Sequence, residues 1–339
     1  MKLPLKPPVN PASNMPAGQA SLLALSRWKA WEPAVWLLAF AAPLLVPGHS
    51  LLVSEIAITA LFALSLDLIL GYTGIVSLGH AAFFGMGAYA AALFAKLVMP
   101  DPLLGLLVAG AVGTALGALC SLTIQRGTDL TRLMVTLGVA LILLELANKL
   151  DWLTGGADGL QGVVMGPVLG QFEFDLAGLT AAYYALAVAL VFFVLLRRLV
   201  NSPFGATLMA IRDNRLRATA IGIPVASRLA VIYTVAAGVA GIAGGLLAQT
   251  TGFASLDLFA LDRSADLMLM LVIGGTGWLW GGIAGAVVFK LMHNFIATVT
   301  PQYWTFWIGL FLVVLVVVGR ERIMRPWTWF NKTSSGGKP

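Results

Sequence analysis

Residues 51–70 read L-L-V-S-E-I-A-I-T-A-L-F-A-L-S-L-D-L-I-L, an apolar run of the length that a helix needs to cross a bilayer. The run ends at G-Y-T-G-I-V-S-L-G-H-A-A-F-F-G-M-G-A-Y, residues 71–89, where glycine interrupts the apolar pattern. Glycine costs a helix about 1 kcal/mol per residue relative to alanine. This stretch therefore predicts a transmembrane helix that is followed by a break.

The composition of the whole chain fits lipid better than water. Of its 339 residues, 59% are hydrophobic and 11% are charged. A soluble domain carries about 25% charged residues. So few charges cannot cover a water-facing surface, whereas a lipid-facing surface needs almost none. We predict an all-α fold, a polytopic transmembrane bundle of helices.

Ten segments are candidate spans, and some of the helices are expected to be broken. A membrane-crossing helix needs about 20 apolar residues. The segments that approach this length are 33–47, 51–70, 78–97, 103–124, 133–150, 178–199, 229–249, 265–275, 281–298 and 304–319. The predicted transmembrane domain covers 33–319, between a flexible tail at 1–32 and a second tail at 320–339. The proline-rich start lacks the apolar stretch of a signal peptide.

Lysine and arginine in the connections predict the orientation. The tail 1–32, the connection 197–228 and the tail 320–339 collect basic residues, and cytoplasmic loops carry this excess. The connection 151–177 holds four acidic residues and no basic one, so we place it outside. A count of ten spans satisfies all of these assignments. The net charge of +6 reflects this pattern, and nucleic acid is not predicted as a partner.

Two glycine-broken segments share one pattern. Residues 71–74 and 274–277 both read Gly-x-Thr-Gly, and both follow an apolar run with an aspartate, Asp67 or Asp266. Interrupted spans in matching positions often mark a translocation path. Alternatively, the glycines are close-packing points between helices, and the repeat arises by chance in a chain with 37 glycines.

A few polar residues are candidates for the lining of a path. Charge within a bilayer is costly, so ionisable residues in spans usually face the bundle interior or water. Those in or at the edges of spans are Glu55, Asp67, Glu145, Asp266, Lys290 and His293. Glu145 is the most central, although it is also one turn from Lys149 and can pair with it. The predicted path residues are Tyr72, Thr73, Ser77, His80, Glu145 and Thr276.

The longest polar internal connection, 200–228, is predicted to carry a short helix over 205–221. Pro203 starts this helix, and Gly222 with Pro224 ends it. Either a soluble partner docks on it, or its arginines rest on anionic lipid headgroups. The small residues from Ala218 to Gly222 favour a protein contact. The residues predicted at this contact are Arg212, Asp213, Asn214, Arg215, Arg217, Ala218 and Gly222.

Several kinds of chemistry have no motif in this sequence. It contains no G-x-x-x-x-G-K-[ST] phosphate loop, no H-E-x-x-H pair and no defensible Ser-His-Asp set. Cys120 is the single cysteine and lies in an apolar run, so neither a disulfide nor a cysteine metal site is predicted. We expect no enzymatic activity and no cofactor in this chain.

Four stretches together resemble the permeases of branched-chain amino acid ABC importers. They are residues 71–89, A-I-R-D-N-R-L-R-A-T-A-I-G-I at 210–223, A-G-V-A-G-I-A-G-G-L-L-A-Q-T-T-G-F-A-S at 237–255, and V-I-G-G-T-G-W-L-W-G at 272–281. The resemblance covers roughly residues 50–320. It is closer to the LivM-type permease subunit than to its LivH-type partner.

This resemblance implies a five-part machine in the bacterial inner membrane, with both termini in the cytoplasm. A second, LivH-type permease completes the pathway, two cytoplasmic ATPases bind ATP and Mg, and a periplasmic or surface-anchored protein delivers the solute. The segment 205–222 would correspond to the coupling helix that receives the ATPase stroke. Its arginine-rich form departs from the more acidic form common in such loops, which leaves the individual contacts open.

Other functions remain open at this level. Within the importer family, the solute is a branched-chain amino acid by default, or urea, a short amide or another amino acid. A secondary transporter or channel that works alone would require ion-coupling carboxylates at the midplane, and the sequence offers few. A membrane scaffold without transport explains the spans but not the paired glycine breaks. Pairing with a copy of itself, in place of a different permease, is a further alternative.

Overall fold

The structure is a computed structural model that describes residues 28–29, 31–46, 48–124, 129–175, 177–303, 306–307, 309–311 and 313. Regular structure in these residues is helical, apart from two isolated β-bridges. The all-α class is therefore confirmed. The helices are α1 Trp31–Leu45, α2 Ser50–Thr73, α3 His80–Leu97, α4 Pro102–Ile124, α5 Asp129–Lys149, α6 Asp151–Thr154, α7 Leu179–Val200, α8 Pro203–Asp213, α9 Arg215–Ala220, α10 Val225–Thr251, α11 Leu261–Gly274 and α12 Leu279–Val299.

Nine of the predicted spans coincide with helices. Six described helices, α2, α4, α5, α7, α10 and α12, are long and apolar enough to cross a membrane. The other three, α1, α3 and α11, have 15, 18 and 14 residues. α3 and α11 are short because each adjoins a glycine break. The tenth predicted span, 304–319, lies largely outside the described residues, so the count of ten is approximate.

Helices α2 and α10 form the centre of the bundle. Within the apolar stretch of each, 72% of the residues are buried, against 22% for α5 and for α12. α10 packs against α4, α3 and α2, and glycines lie at its contacts with α4 and α3. A Cβ on Gly87 of α3 would lie 2.5 Å from the Gly241 carbonyl carbon of α10, and one on Gly244 would lie 2.7 Å from that of Phe84. Small residues thus bring these backbones together, as in other membrane bundles.

The two ends of the bundle differ in character. The "acidic end" consists of the connections 151–175 and 252–260, which an antiparallel bridge between Leu160 and Ala254 joins. Within it, a short 3₁₀ helix, Leu256–Phe259, buries the Phe259 ring against Tyr89 of α3 with 5.7 Å between ring centroids. The "arginine end" consists of α8, α9 and the adjoining ends of α2, α7 and α10.

The connection on the arginine end differs from its prediction. Instead of one helix over 205–221, the chain forms α8 and α9, with a break at Asn214. Asn214 adopts an extended backbone, with φ −160°, and its side-chain oxygen accepts a hydrogen bond from the Arg217 N–H at 2.9 Å. This is the geometry of an N-cap, which ends one helix and begins another. Pro203 starts α8 as predicted, and Gly222, with φ +87°, follows α9.

The first helix begins earlier than the predicted boundary at residue 33. α1 starts at Trp31, and Glu32 is buried within it, paired with Arg197 of α7. Residues 1–27 and 314–339 lie outside the described residues. The tails predicted there stay predictions.

Candidate functional site

A cavity of about 590 Å³ lies inside the bundle, near the acidic end. Its walls come from α2, α10, α11, α12 and the connection 252–260, with Phe84 contributed by α3. The lining contains ionisable side chains at unusual density for a membrane bundle: Glu55, Asp257, Asp262, Arg263, Asp266, Lys290 and His293. Ionisable residues in membrane spans mark solute and ion pathways by default.

Two ion pairs cross this cavity or border it. Lys290 Nζ of α12 lies 3.2 Å from Glu55 Oε2 of α2, and Arg263 Nη2 of α11 lies 2.6 Å from Asp257 Oδ2. The first pair joins α2 to α12, and the second joins the connection 252–260 to α11. Four carboxylates face two permanent cations, so the lining carries a net charge of −2 when His293 is neutral. Such a lining attracts an ammonium group and repels an anion.

Two carboxylates in the lining are not used by these pairs. Asp262 and Asp266 lie one turn apart on α11 and accept no hydrogen bond within the described part of the chain. Carboxylates of this kind are suited to hold the ammonium of a zwitterion, while Arg263 and Lys290 are suited to hold its carboxylate. The cavity thus offers partners for both charges of an amino acid within one partly open space.

An aromatic layer, formed by Phe62 and Phe84, lines the cavity on the side of the arginine end. The Phe62 and Phe84 rings both line the cavity and stack on each other with centroids 4.2 Å apart. On its other side, Phe62 stacks against the His80 ring at 5.8 Å. His80 is fully buried, and its Nε2 lies 2.8 Å from Ser65 Oγ, which donates its own proton to the Phe62 carbonyl. The layer thus contacts the cavity through Phe62 and Phe84 and the start of α3 through His80.

The two Gly-x-Thr-Gly segments meet in the structure. Gly277, in the connection between α11 and α12, donates its backbone N–H to Asp67 Oδ1 of α2 at 2.8 Å. Asp67 is fully buried. A Cβ on Gly71 would overlap the Gly277 nitrogen and lie 2.8 Å from the Asp67 carboxyl carbon. Glycine at position 71 is therefore required by this close approach, not by its own backbone angles.

Four of the predicted path residues lie together. Tyr72, Thr73, Ser77 and His80 are all buried, in or beside the connection between α2 and α3. Thr73 Oγ1 donates to the Ile69 carbonyl at 2.6 Å within its own helix. Thr276 belongs to the neighbouring connection, but its side chain is exposed at the arginine end.

Glu145 lies apart from the other five predicted path residues. Thr136 of α5 contacts Gly79, and Glu145 lies nine residues further along that helix, about 13.5 Å away. Its side chain is 59% exposed and lies 3.8 Å from Lys149. The pairing with Lys149, which the sequence left open as an alternative, is what the structure contains.

The residues of α8 and α9 that were predicted to contact a partner differ in their exposure. Asp213, Asn214, Arg217 and Gly222 are exposed, whereas Ala218 is buried and Arg215 is half-buried. Arg212 is also exposed overall, but its Nη1 reaches inward and donates to the Gly71 carbonyl of α2. The sequence did not single out Leu216 and Ile221, which are 85% and 69% exposed on the same segment.

The sequence found only part of the cavity. It marked Glu55, Asp266, Lys290 and His293 as ionisable residues in or near spans, but did not unite them. It missed Asp257, Asp262 and Arg263, which lie in or beside the connection between α10 and α11, and the aromatic pair Phe62 and Phe84. Within the described residues, no group of three or more His, Cys, Asp or Glu side chains is placed to hold a metal ion.

Comparisons with known proteins identify a matching family and similar sequences. A family model described as the permease component of the branched-chain amino acid transport system matches residues 50–318. The chain is similar to the high-affinity branched-chain amino acid transport system permease protein LivM of Salmonella typhimurium, at 27% identity over 322 residues, 87% of this chain and 74% of that protein. The Escherichia coli protein of the same name is 25% identical over 321 residues, again 87% and 74% of the two chains.

An archaeal protein is also similar. The probable branched-chain amino acid transport permease protein LivM of Methanocaldococcus jannaschii is 23% identical over 268 residues, which are 68% of this chain and 76% of that protein. No solved structure matches the chain.

Proposed function

This chain belongs to the family of permease components of branched-chain amino acid transport systems, and on that premise we propose that it forms one half of the pathway of an ATP-driven importer for branched-chain amino acids. It is a multi-pass membrane protein, with six helices of sufficient length and apolar character among the described residues. The relatives named for high-affinity branched-chain amino acid transport support the choice of solute.

The observation that carries the proposal is the charged cavity beside the acidic end. A branched-chain amino acid is a zwitterion with an apolar side chain. The cavity offers carboxylates at Asp262 and Asp266, cations at Arg263 and Lys290, and apolar surface from Phe62 and Phe84. In this proposal the solute enters from the acidic end and pauses above the aromatic layer.

The acidic end then faces the exterior, and the arginine end faces the cytoplasm of a bacterial inner membrane. Cytoplasmic connections carry an excess of lysine and arginine, which supports this orientation. A periplasmic or surface-anchored binding protein delivers the solute to the acidic end. A LivH-type permease, or a second copy of this chain, lies beside it in the membrane.

The segment α8–α9 receives the stroke of the partner ATPases. Leu216 and Ile221 are largely exposed beside Arg217 and Asp213, a mixture of apolar and charged groups that suits a protein contact better than open water. ATP and Mg act in the partner subunits. ATP binding moves this segment, the helices rock as rigid bodies, and the aromatic layer opens toward the cytoplasm while the acidic end closes.

Uptake by a strain that lacks the gene tests the proposal. We expect the strain to lose high-affinity uptake of labelled leucine, isoleucine and valine, and to regain it when the chain is supplied together with its partner subunits. Depletion of ATP should abolish this uptake. Unchanged uptake in the deletion strain would show that the chain serves another solute or none.

Two further measurements test the alternatives of a different solute and of a transporter that works alone. If urea or a short amide competes with labelled leucine better than isoleucine does, then the solute is misassigned. If the purified chain alone carries labelled leucine into liposomes without any ATPase, then it is a self-sufficient transporter and the importer assignment is wrong.

A further inference from the structure

The side chain of Arg212 connects the surface segment α8–α9 to both glycine-broken connections. Its Nη1 donates to the carbonyl of Gly71, the residue at which α2 meets the α11–α12 connection. The stem of the side chain passes over Gly74, where an added Cβ would lie 3.4 Å from Arg212 Cγ. The same Nη1 lies so close to Gly277 that an added Cβ there would be 2.7 Å away.

Charge strengthens this connection. Asp67 is fully buried and is one helical turn before Gly71, and the Arg212 guanidinium acts electrostatically on its carboxylate. Asp67 Oδ1 accepts the Gly277 N–H, whereas Oδ2 accepts no hydrogen bond among the described residues. A buried charge left without compensation is strongly unfavourable. Withdrawal of Arg212 would therefore destabilise the junction of α2 with the α11–α12 connection.

We propose that Arg212 is the positioning residue that transmits movement of α8–α9 to the walls of the cavity, through Gly71 and Asp67 on α2 and through Gly277 on the α11–α12 connection. α2, α11 and α12 all line the cavity at their other ends, with Glu55, Asp266 and Lys290. A displacement of α8 thus reaches three of the cavity walls through one side chain. This inference rests on the proposed function of the chain as an importer subunit.

Arginine suits this position for a physical reason. Its planar guanidinium presents several donors in a fixed arrangement and stays charged, so it can hold a carbonyl and face a carboxylate at the same time. Lysine retains the charge but loses that arrangement. Glutamine retains a donor but loses the charge.

The test uses the assembled importer, purified with its partner subunits and reconstituted in liposomes, with labelled leucine as the solute. We expect R212Q to lower leucine uptake by roughly tenfold to a hundredfold, the range that corresponds to the loss of a charge-assisted hydrogen bond. ATP hydrolysis by the same preparation should stay within about twofold of the original, because the ATPase subunits are intact. R212K should take up leucine at a rate between that of R212Q and that of the original importer. Arg198, exposed at the same end of the bundle, provides the control R198Q, which should leave both rates unchanged.

A second variant separates transmission from folding. D67N removes the buried charge but keeps an oxygen that can accept the Gly277 N–H. The double variant D67N/R212Q has no uncompensated buried carboxylate and should assemble. We expect it to take up leucine no faster than R212Q alone, because both changes interrupt one connection.

The outcomes distinguish this inference from the proposed function. If the original importer does not take up leucine, the proposed function fails. If it does and R212Q takes up leucine at the same rate, the role of Arg212 is refuted. If neither R212Q nor the double variant assembles, or if uptake and ATP hydrolysis fall together, then Arg212 only stabilises the fold and the inference is equally wrong.

Discussion

Glu32 of α1 and Arg197 of α7 form a buried ion pair, in which Glu32 is 4% exposed and Arg197 is 8% exposed. The Trp280 indole of α12 donates to the same carboxylate at 3.4 Å, and the Trp28 ring lies 4.6 Å from the Arg197 guanidinium carbon. Three helices that are distant in sequence therefore meet at one buried charge pair.

Removal of one charge from this pair should destabilise the bundle strongly. E32Q removes the carboxylate that pairs with the buried Arg197, and breaking a buried ion pair typically costs about 3–5 kcal/mol. We expect a clear fall in the unfolding temperature of the purified protein in detergent. K149Q, at the exposed pair with Glu145, is the control and should change little. Equal effects of the two substitutions would contradict a structural role for the buried pair.

Glycine at the α3–α10 contact should tolerate no side chain. In G87A or G244A, the new methyl group would lie 2.5 or 2.7 Å from a backbone carbonyl carbon of the facing helix. Overpacking of this kind costs about 1–3 kcal/mol, and here backbone, not a flexible side chain, would have to move.

The matched control for this contact is G138A on α5. Apart from its chain neighbours and its own helix backbone, no atom of the described residues lies within 4 Å of a Cβ at that position, and alanine is the better helix former by about 1 kcal/mol. We expect G138A to unfold at the original temperature or above it, and the other two below it, as followed by fluorescence in detergent. If the unfolding temperature falls in G87A, G244A and G138A alike, then the cause is the replacement of glycine in a helix and not the contact between helices.

The cavity charge should influence which solutes compete for uptake. In D262N/D266N the net charge of the lining changes from −2 to 0, with His293 neutral. We expect the KM for labelled leucine to rise by about tenfold, equivalent to about 1.4 kcal/mol, because the ammonium loses its partners. Competition by an excess of glutamate should become stronger. D158N, in the exposed connection of the acidic end, serves as the control, and an unchanged competition profile in D262N/D266N would argue against this cavity as the path.

The orientation of the two ends can be read from single cysteines. Leu216 is 85% exposed on the arginine end and Trp152 is 78% exposed on the acidic end. In a background in which the buried Cys120 is replaced by alanine, L216C should react with an impermeant maleimide only in inverted vesicles, and W152C only in intact spheroplasts. Reaction of L216C from the exterior would leave the partner ATPases no route to this segment.

Local features of the fold were predictable because local sequence decides them. Nine apolar segments became helices near their predicted ends, and Pro203 and Gly222 mark the start of α8 and the residues after α9 as predicted. The break at Asn214 was missed, since an asparagine that caps the following helix looks like an ordinary polar residue of a surface helix. The N-terminal boundary was set too late because Glu32 reads as a solvated charge until its partner is known.

The sequence by itself determined that helices cross a bilayer, roughly where each begins and ends, and which connections are basic, because hydrocarbon selects for apolar composition residue by residue along one segment. Only the tertiary structure decided which polar groups meet. Asp67 lies 210 positions from Gly277, and Glu55 lies 235 positions from Lys290. Such contacts depend on how closely glycine-rich helices approach and on their rotation about their axes, and no single segment encodes either quantity.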